Sequence, residues 1–274
     1  MVRNILFTLL LVVAIIGCNN DDETLPVPDL RKTFIPDDNF ELALIELGYD
    51  DVLDNQVISE NIKDVVELDL SGLGIKSLMG IEDFTYLEYL DCNFNDLIGL
   101  DVSQNKFLKK LWLWDNELTS LDVSNNKSLE TLYCASNELT TLDLSNNTAL
   151  YHLECWGNKL TSLDVSNKPG LNYVYCQQNQ LTSLDLSNSP SLGIIFCNDN
   201  ELEDLDVSSN KYLFYLFCGG NRLTNLDVSI NTSLERMGCP SNQITCIKVN
   251  EPQLKNKVSD WVKDDTATWS LECE

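Results

Sequence analysis

The chain has 274 residues, with 43 Asp and Glu against 18 Lys and Arg, and a formal net charge of −25. This length suits one elongated domain with a tether. Nucleic acid is not an expected partner, because binding to phosphates needs a basic stripe on the protein. The acidity instead favours solubility, association with cations, or a basic partner.

Residues 1–17 predict a secretory signal that is not part of the fold. Arg3 supplies a positive charge, residues 5–16 form a nearly unbroken apolar run, and Gly17 precedes Cys18. The Ile-Ile-Gly-Cys ending resembles a bacterial lipobox, which implies that Cys18 becomes the lipidated first residue of the mature protein. A plain signal peptide or an N-terminal anchor helix is the alternative, although the apolar run is short for a membrane span.

Residues 18–33 predict a disordered acidic tether, because an Asn-Asn-Asp-Asp-Glu run is followed by Pro26 and Pro28 with few apolar residues. An acidic run directly after a lipidated cysteine resembles the surface-export signal of lipoproteins in the Bacteroidetes. That resemblance implies anchoring in the outer membrane with the protein facing the exterior. A lipoprotein that faces the periplasm, with a merely acidic linker, is the alternative.

Residues 34–64 predict an N-terminal cap for the domain that follows. Asp37 or Asp38 can cap the N-terminus of a helix that runs to about Leu47, with Gly48 just past its end. The phrase IPDDNFELALIELGYDD resembles the N-terminal caps of secreted flavobacterial repeat proteins.

Leucine then returns every 21 residues from Leu87 to Leu234, after a looser 22-residue turn that starts at Val65. A fixed period of this length indicates a solenoid of about nine turns, in which each turn stacks on its neighbours. In the turn LETLYCASNELTTLDLSNNTA, apolar residues occupy positions 1, 4, 6, 11, 14 and 16. The alternation at positions 4–6 and 14–16 predicts two short strands, each with one buried face.

Asparagine at position 9 of the turn predicts a structural ladder, because a stacked amide can satisfy turn backbone groups. Its members are Asn95, Asn116, Asn137, Asn158, Asn179, Asn200, Asn221 and Asn242. The pattern LxxLxCxxNxLTxLDLSxNxx, over residues 65–249, resembles the leucine-rich repeat family in a bacterial form with two nested half-repeats. The resemblance implies a β-rich solenoid with short parallel strands whose outward strand face binds a ligand. The LDL or LDV core suggests a second strand where ordinary members have a helix.

The ten cysteines fall into three groups. Cys18 belongs to the lipobox, and seven cysteines recur at the inward position 6 of the turn. We expect these seven to be reduced core residues, because in-register side chains on parallel strands suit a cross-link poorly. Cys246 and Cys273 bracket a C-terminal cap at 250–274, and we expect a disulfide between them because an exported compartment is oxidising. Trp261 and Trp269 can cover the last turn.

Aromatic residues occupy the outward positions 3, 5 and 7 of the first strand. The predicted ligand-binding residues are Trp112, Trp114, Tyr133, His152, Trp156, Tyr173, Tyr175, Phe196, Tyr215 and Phe217. Contiguous exposed apolar surface usually marks an interaction site. The alternative is that aromatic residues simply favour strands and pair across them.

Aspartate at position 15 forms a second exposed column. Its members are Asp101, Asp122, Asp143, Asp164, Asp185, Asp206 and Asp227. Each carboxylate can accept a hydrogen bond from its own turn, which is the reading we favour. A calcium-binding column is the alternative, but the glycine-rich pattern of calcium-binding β-rolls is absent from the sequence.

The sequence therefore predicts a non-catalytic cell-surface protein that binds a protein partner as an adhesin, scaffold or adaptor. Glycan capture is the second hypothesis, because aromatic platforms also stack on sugar rings. A glycoside-acting enzyme is a distant third, since the chain has a single histidine and lacks the common catalytic motifs. We expect no cofactor and no metal.

Membrane anchoring is predicted to depend on Cys18. Cys18→Ser should release the protein from the membrane fraction or leave an unprocessed precursor, because the lipid has no thiol to join. Fractionation with immunoblotting measures both. Normal processing together with unchanged membrane retention would contradict the lipoprotein prediction.

Overall fold

The structure, a computed structural model, describes residues 31–273. The predicted signal segment, Cys18 and the tether as far as residue 30 lie outside the described residues. The N-terminal cap contains strands β1 (Lys32–Phe34) and β2 (Gln56–Ile58), which pair antiparallel, and helices α1 (Asp38–Glu46) and α2 (Ser59–Ile62). Strand β1 begins inside the predicted tether, because Thr33 is buried against the cap.

Helix α1 is held at both ends as predicted. A side-chain oxygen of Asp37 accepts hydrogen bonds from the backbone N–H groups of Asn39 and Phe40, each at 3.1 Å. Gly48 follows the helix with a φ of 82°, which favours glycine. The second oxygen of Asp37 accepts from the backbone N–H of Lys76 at 2.8 Å, so one carboxylate both starts the helix and ties it to the first turn.

The solenoid consists of three-residue strands in a regular order. In chain order they are β3 (Glu67–Asp69), β4 (Tyr89–Asp91), β5 (Lys110–Trp112), β6 (Thr131–Tyr133), β7 (His152–Glu154), β8 (Ser162–Asp164), β9 (Tyr173–Tyr175), β10 (Ser183–Asp185), β11 (Ile194–Phe196), β12 (Tyr215–Phe217), β13 (Asn225–Asp227), β14 (Arg236–Gly238) and β15 (Cys246–Lys248). Nine of them form one sheet in the order β3-β4-β5-β6-β7-β9-β11-β12-β14, which we call the main sheet. All its neighbours are parallel, and equivalent residues of successive turns lie directly opposite one another, as Tyr133 and Glu154 do.

The predicted second strand is present in several turns. Strands β8 and β10 pair parallel, and β13 pairs with β15, which in turn pairs with β16 (Thr268–Ser270) in the C-terminal cap. In the earlier turns, this second row of strands is reduced to a single bridge between Asp101 and Asp122. A 3₁₀ helix at Ile81–Asp83 occupies the corresponding half of the first turn.

The seven ladder cysteines are free and buried, and Leu113 fills the equivalent slot in its turn. Cysteine packs here as a small apolar residue. Burial raises the pKa of Cys134 and of Cys176 to about 12, so both are thiols rather than reactive thiolates at neutral pH.

The position-9 asparagine ladder is confirmed. Asn158 represents it: Oδ1 accepts from the backbone N–H of Leu139 at 2.9 Å, and Nδ2 donates to the carbonyls of Cys134 and Cys155 at 2.9 and 3.1 Å. The carbonyl of Cys134 also accepts a hydrogen bond at 3.2 Å from Asn137, which belongs to the same turn as Cys134. Each amide therefore joins two turns, and we call this series the outer ladder.

A second asparagine ladder lies deeper, at position 19 of the turn, where the repeat pattern shows asparagine but no role was predicted for it. Its members are Asn105, Asn126, Asn147, Asn210 and Asn231, all with no exposed surface. Asn126 Nδ2 donates to the carbonyls of Val102 and Asn105 at 3.0 and 2.9 Å, and the other members repeat this pattern. We call this series the inner ladder. Its amides satisfy carbonyls at the end of each turn, where the chain bends back towards the main sheet.

Lys168 and Ser189 replace asparagine in two turns of the inner ladder. The ammonium group of Lys168 donates to the carbonyl of Leu144 at 3.0 Å, and this lysine is only 2% exposed. Burial lowers its pKa. Ser189 Oγ donates to the carbonyl of Val165 at 2.8 Å. The donor is therefore retained at both positions although the residue changes.

The C-terminal cap closes the last turn with α3 (Glu251–Asn256) and a 3₁₀ helix at Val258–Asp260. Gln253 of α3 extends the inner ladder, because its Nε2 donates to the carbonyls of Val228 and Asn231 at 3.0 Å each. The predicted disulfide joins Cys246 to Cys273, whose Cα atoms are 5.8 Å apart. Trp261 is buried, and its ring packs edge-on against Trp269 at 5.7 Å.

Removing one outer-ladder amide should destabilise the fold. Asn158→Leu leaves the buried N–H of Leu139 without its acceptor and removes one donor from each of two carbonyls. We expect a loss of about 2–3 kcal/mol in the free energy of unfolding, measured by urea denaturation. Asn146→Ala changes an exposed asparagine nearby and should have little effect. Equal losses in both variants would show that the ladder hydrogen bonds are not what stabilises the turn.

The thiol groups should be hidden in the native protein and free in the denatured one. A thiol reagent at pH 8 should label none of the seven ladder cysteines until denaturant is added, and then all seven without prior reduction. Cys246 and Cys273 should react only after reduction. Fewer than seven free thiols in the denatured, unreduced mature protein would mean that the ladder is oxidised.

Candidate binding face

The outward surface of the main sheet carries every predicted ligand-binding residue except Trp114 and Trp156, which lie two residues past the ends of β5 and β7. In β6, Leu132 points into the core while Thr131 and Tyr133 are partly exposed, because successive side chains of a strand point to opposite faces. The same alternation holds in the other central strands. We call this outward surface the strand face.

Aromatic rings on the strand face touch one another from turn to turn. Ring centroids are separated by 5.0 Å for Tyr89–Trp112, 5.3 Å for Trp112–Tyr133, 4.9 Å for Tyr133–His152, 5.5 Å for His152–Tyr175, 5.0 Å for Tyr175–Phe196 and 4.8 Å for Phe196–Phe217. We call this series the ring chain. It crosses seven consecutive strands of the main sheet, from β4 to β12.

The ring chain exists because the repeat keeps equivalent positions opposite one another at strand spacing, roughly 4.8 Å. Aromatic pairs are favourable at that separation in stacked or edge-to-face arrangements. The rings are therefore partly buried by each other rather than fully extended into solvent. Truncation of one ring should therefore reduce stability, which the sequence did not indicate.

Glu154 interrupts the aromatic column at position 5, and His152 restores the contact from the neighbouring column. The imidazole touches Tyr133 on one side and both Tyr173 and Tyr175 on the other. Its Nδ1 lies 3.1 Å from the hydroxyl of Tyr133, within hydrogen-bond distance. His152 thus belongs to the strand face, as predicted.

The two tryptophans at position 7 form a separate pair. Trp114 and Trp156 belong to turns that are not adjacent, yet their rings meet edge to face at 5.4 Å. Ala135 of the intervening turn is buried and small, so it leaves room for this contact. Trp114 also donates from Nε1 to Ser136 Oγ at 3.3 Å and packs against Phe94 at 5.6 Å.

Tyr173 and Tyr215 extend the strand face at position 3. The ring of Tyr173 lies 4.9 Å from His152 and 5.3 Å from Tyr151. Tyr215 stands apart from the ring chain: it packs against Phe214 at 4.6 Å, with the Arg236 guanidinium 5.9 Å from its centroid.

Each end of the strand face has an open groove. At the C-terminal end, a groove of about 740 Å³ is lined by Tyr215, Phe217, Arg236 and residues of the cap. At the N-terminal end, a groove of about 420 Å³ is lined by Tyr89, Lys110, Trp112 and neighbouring charged residues. Tyr89 was not among the predicted binding residues, although it shares a column with His152 and Tyr173.

The two carboxylates in the position-5 column differ in their surroundings. Asp91 is 7% exposed, and it accepts hydrogen bonds from the N–H of Asn93 and the hydroxyl of Tyr89. Its burial raises its pKa. The side chain of Glu154 is 23% exposed, and among the described residues no hydrogen bond reaches its carboxylate. Its Oε1 lies 3.1 Å from His152 Nε2, and the structure contains no hydrogen bond between the two atoms.

The aspartate column lies on the other row of the solenoid. In Asp143, Oδ1 accepts a hydrogen bond from the backbone N–H of Ser145 at 2.8 Å, and this contact lowers the pKa of the carboxyl. The same contact recurs in the other members, all exposed. Each carboxylate is thus used by its own turn. Within residues 31–273, no group of three or more His, Cys, Asp or Glu side chains converges as metal ligands.

No family model and no curated protein matches the chain. Solved structures are similar to it. The functional domain of InlJ from Listeria monocytogenes, which includes a cysteine ladder, is 27% identical, with a TM-score of 0.53 over 89% of this chain. Internalin C2 of the same species is 17% identical, with a TM-score of 0.57 over 86% of this chain and 95% of its own.

The fold is a leucine-rich repeat. A third similar structure, the ectodomain of the receptor kinase GASSHO1 from Arabidopsis thaliana, is 21% identical, with a TM-score of 0.61 over 74% of this chain and 27% of that one. The chain spans about 64% of the InlJ structure. Its neighbours thus include bacterial leucine-rich repeat proteins of the internalin type. In the part of the chain that the structure describes, no helix is long and apolar enough to cross a membrane.

Proposed function

We propose that this chain is a non-catalytic binding protein that holds a protein partner on its strand face. The observation that carries the proposal is the ring chain, which crosses seven strands of a sheet in a chain of net charge −25. Between β5 and β12 the face is dominated by aromatic and apolar side chains. Tyrosine and tryptophan are the residues that most often dominate binding energy at protein interfaces.

The mutual packing of the rings supports binding rather than a purely structural role. A ring held by neighbours on both sides loses little freedom when a partner covers it, so the surface is already organised for contact. Partner binding is also seen in structures of this fold: the GASSHO1 ectodomain was solved in complex with CASPARIAN STRIP INTEGRITY FACTOR 2.

Glycan binding is the second candidate, favoured by one exposed ring pair beside the strand face. Tyr86 and Phe107 lie nearly parallel, with centroids 5.6 Å apart, and each is 51% exposed. Flat exposed rings can stack on sugars. Along the ring chain itself, edge-to-face contacts cover much of the ring surface, which is why we place protein binding first.

The proposed location follows from the sequence. A lipid on Cys18 would hold the mature protein at the outer membrane, and residues 19–30 would separate the anchor from the cap. The protein would then act at the cell surface as an adhesin, scaffold or adaptor for a second surface protein.

Affinity should depend on the ring chain. A partner captured by cross-linking on cells is purified, and its dissociation constant is measured by calorimetry. Trp112→Ala and Tyr175→Ala should each weaken binding by about 1–3 kcal/mol, because each removes a large contact area. Each should also cost roughly 1 kcal/mol of stability through lost ring contacts, which thermal melts will measure.

Asp164→Asn, on the opposite row of the solenoid, is the control and should leave affinity nearly unchanged. Loss of affinity in Asp164→Asn with full affinity in both ring variants would show that the partner binds the aspartate column and not the strand face. A glycan array run with the same variants decides between the two candidate functions, since ring-dependent glycan binding without a protein partner would favour the second.

A further inference from the structure

The strand face contains one polar position that its aromatic surroundings do not explain. Glu154 occupies position 5, where the neighbouring turns place Tyr133 and Tyr175 directly opposite it on either side. A carboxylate at this point breaks a column that could have been wholly aromatic. Its side chain remains 23% exposed, so it is accessible from the face.

Internal structure does not require this carboxylate. In the same column, the carboxylate of Asp91 already accepts hydrogen bonds from the N–H of Asn93 and the hydroxyl of Tyr89. The carboxylate of Glu154 contacts His152 Nε2 at 3.1 Å, with no hydrogen bond between them. The carboxylate therefore keeps its capacity to accept hydrogen bonds from outside the chain.

The surroundings of Glu154 favour a cation. A partly desolvated carboxylate attracts a cation more strongly than it would in water. The charge of Glu154 acts on both rings, since it adds to the burial that raises the pKa of Tyr133 and of Tyr175. The net charge of −25 also draws basic groups towards the protein.

We propose that Glu154, Tyr133 and Tyr175 form a subsite for an arginine side chain of the protein partner. This inference rests on the proposed function and specifies the chemistry at the centre of the strand face. Arginine fits better than lysine, because its planar guanidinium can donate two parallel N–H groups to one carboxylate. Its three-carbon stem would cover the neighbouring rings.

His152 borders this subsite. Its ring lies between those of Tyr133 and Tyr175, at centroid distances of 4.9 and 5.5 Å. The arginine would approach the carboxylate from the solvent side, opposite the imidazole.

A pair of short peptides tests the subsite on the full mature protein. Acetyl-Gly-Arg-Gly-amide is compared with the same peptide carrying citrulline, which has the shape of arginine without its charge. Titrations are followed by nuclear magnetic resonance of the tyrosine ring signals. The arginine peptide should shift the signals of Tyr133 and Tyr175, and the citrulline peptide should bind at least about tenfold more weakly.

Glu154→Gln keeps the size of the side chain and removes its charge, so it should weaken the arginine peptide by roughly tenfold. Glu203→Gln makes the same charge change at an exposed residue with no ion pair, and it should leave binding unchanged. Equal binding of both peptides, or equal affinity of Glu154→Gln and the unaltered protein, would overturn the subsite.

The two proposals fail in different ways. If the ring variants weaken the natural partner while Glu154→Gln binds it normally, the strand face is the binding surface but the arginine subsite is wrong. If the arginine peptide binds through Glu154 while Trp112→Ala leaves partner affinity unchanged, the subsite is correct and the wider ring chain is not part of the binding surface.

Discussion

Hydrogen bonding by buried asparagine amides is the interaction on which the rest of this structure depends. A solenoid turn of 21 residues contains only short strands, so most of its backbone polar groups lie in bends without a neighbouring strand. Buried groups of this kind destabilise a fold unless they find partners. The outer ladder satisfies one bend of each turn and the inner ladder the other. Each outer-ladder amide bonds to its own turn and to the preceding one, and each inner-ladder amide bonds to the preceding turn, so the amides also fix how successive turns align.

The alignment of successive turns determines which side chains lie beside one another on the surface. Once equivalent residues lie opposite one another at strand spacing, any residue type that recurs at an outward position becomes a column. Rings in such a column are close enough to pack, and the ring chain is the result. Carboxylates in such a column repel, and in the aspartate column each one is stabilised instead by an N–H group of its own turn, as Ser145 does for Asp143. One constraint thus produces both an aromatic side and an acidic side.

Much of this could be predicted from the sequence because it follows from spacing. The inward leucines, the cysteine series, the outer ladder and the cap helix that begins after Asp37 all depend on local pattern, and the structure confirms them. The role of the inner ladder was not predicted, because Lys168 and Ser189 interrupt the series of asparagines. Both residues nevertheless keep a hydrogen-bond donor at the same position. A reading of the sequence by residue type does not detect that; a reading by hydrogen-bond donor would.

The contacts on the strand face could not be predicted, for a different reason. The sequence shows which residues face outward, but not which way a ring leans. His152 leaves its own column to bridge Tyr133 and Tyr175 only because Glu154 leaves a gap there. The pair across Ala135, between Trp114 and Trp156, likewise depends on the small size of a residue between them. Such contacts cross columns, so the period of the repeat carries no information about them.

Separation of inward and outward roles lets the chemistry of the strand face vary without a change of fold. Inward positions are constrained by packing and by the two ladders, whereas a change at an outward position removes only contacts between neighbours on the strand face. A single change in such a column, such as a carboxylate among rings, alters the chemistry of the face at one point and leaves the register intact. The net charge of −25 complements this arrangement, because repulsion between copies opposes self-association through exposed rings. On the proposed function, a partner must supply both apolar surface for the rings and positive charge, and few surfaces meet both requirements.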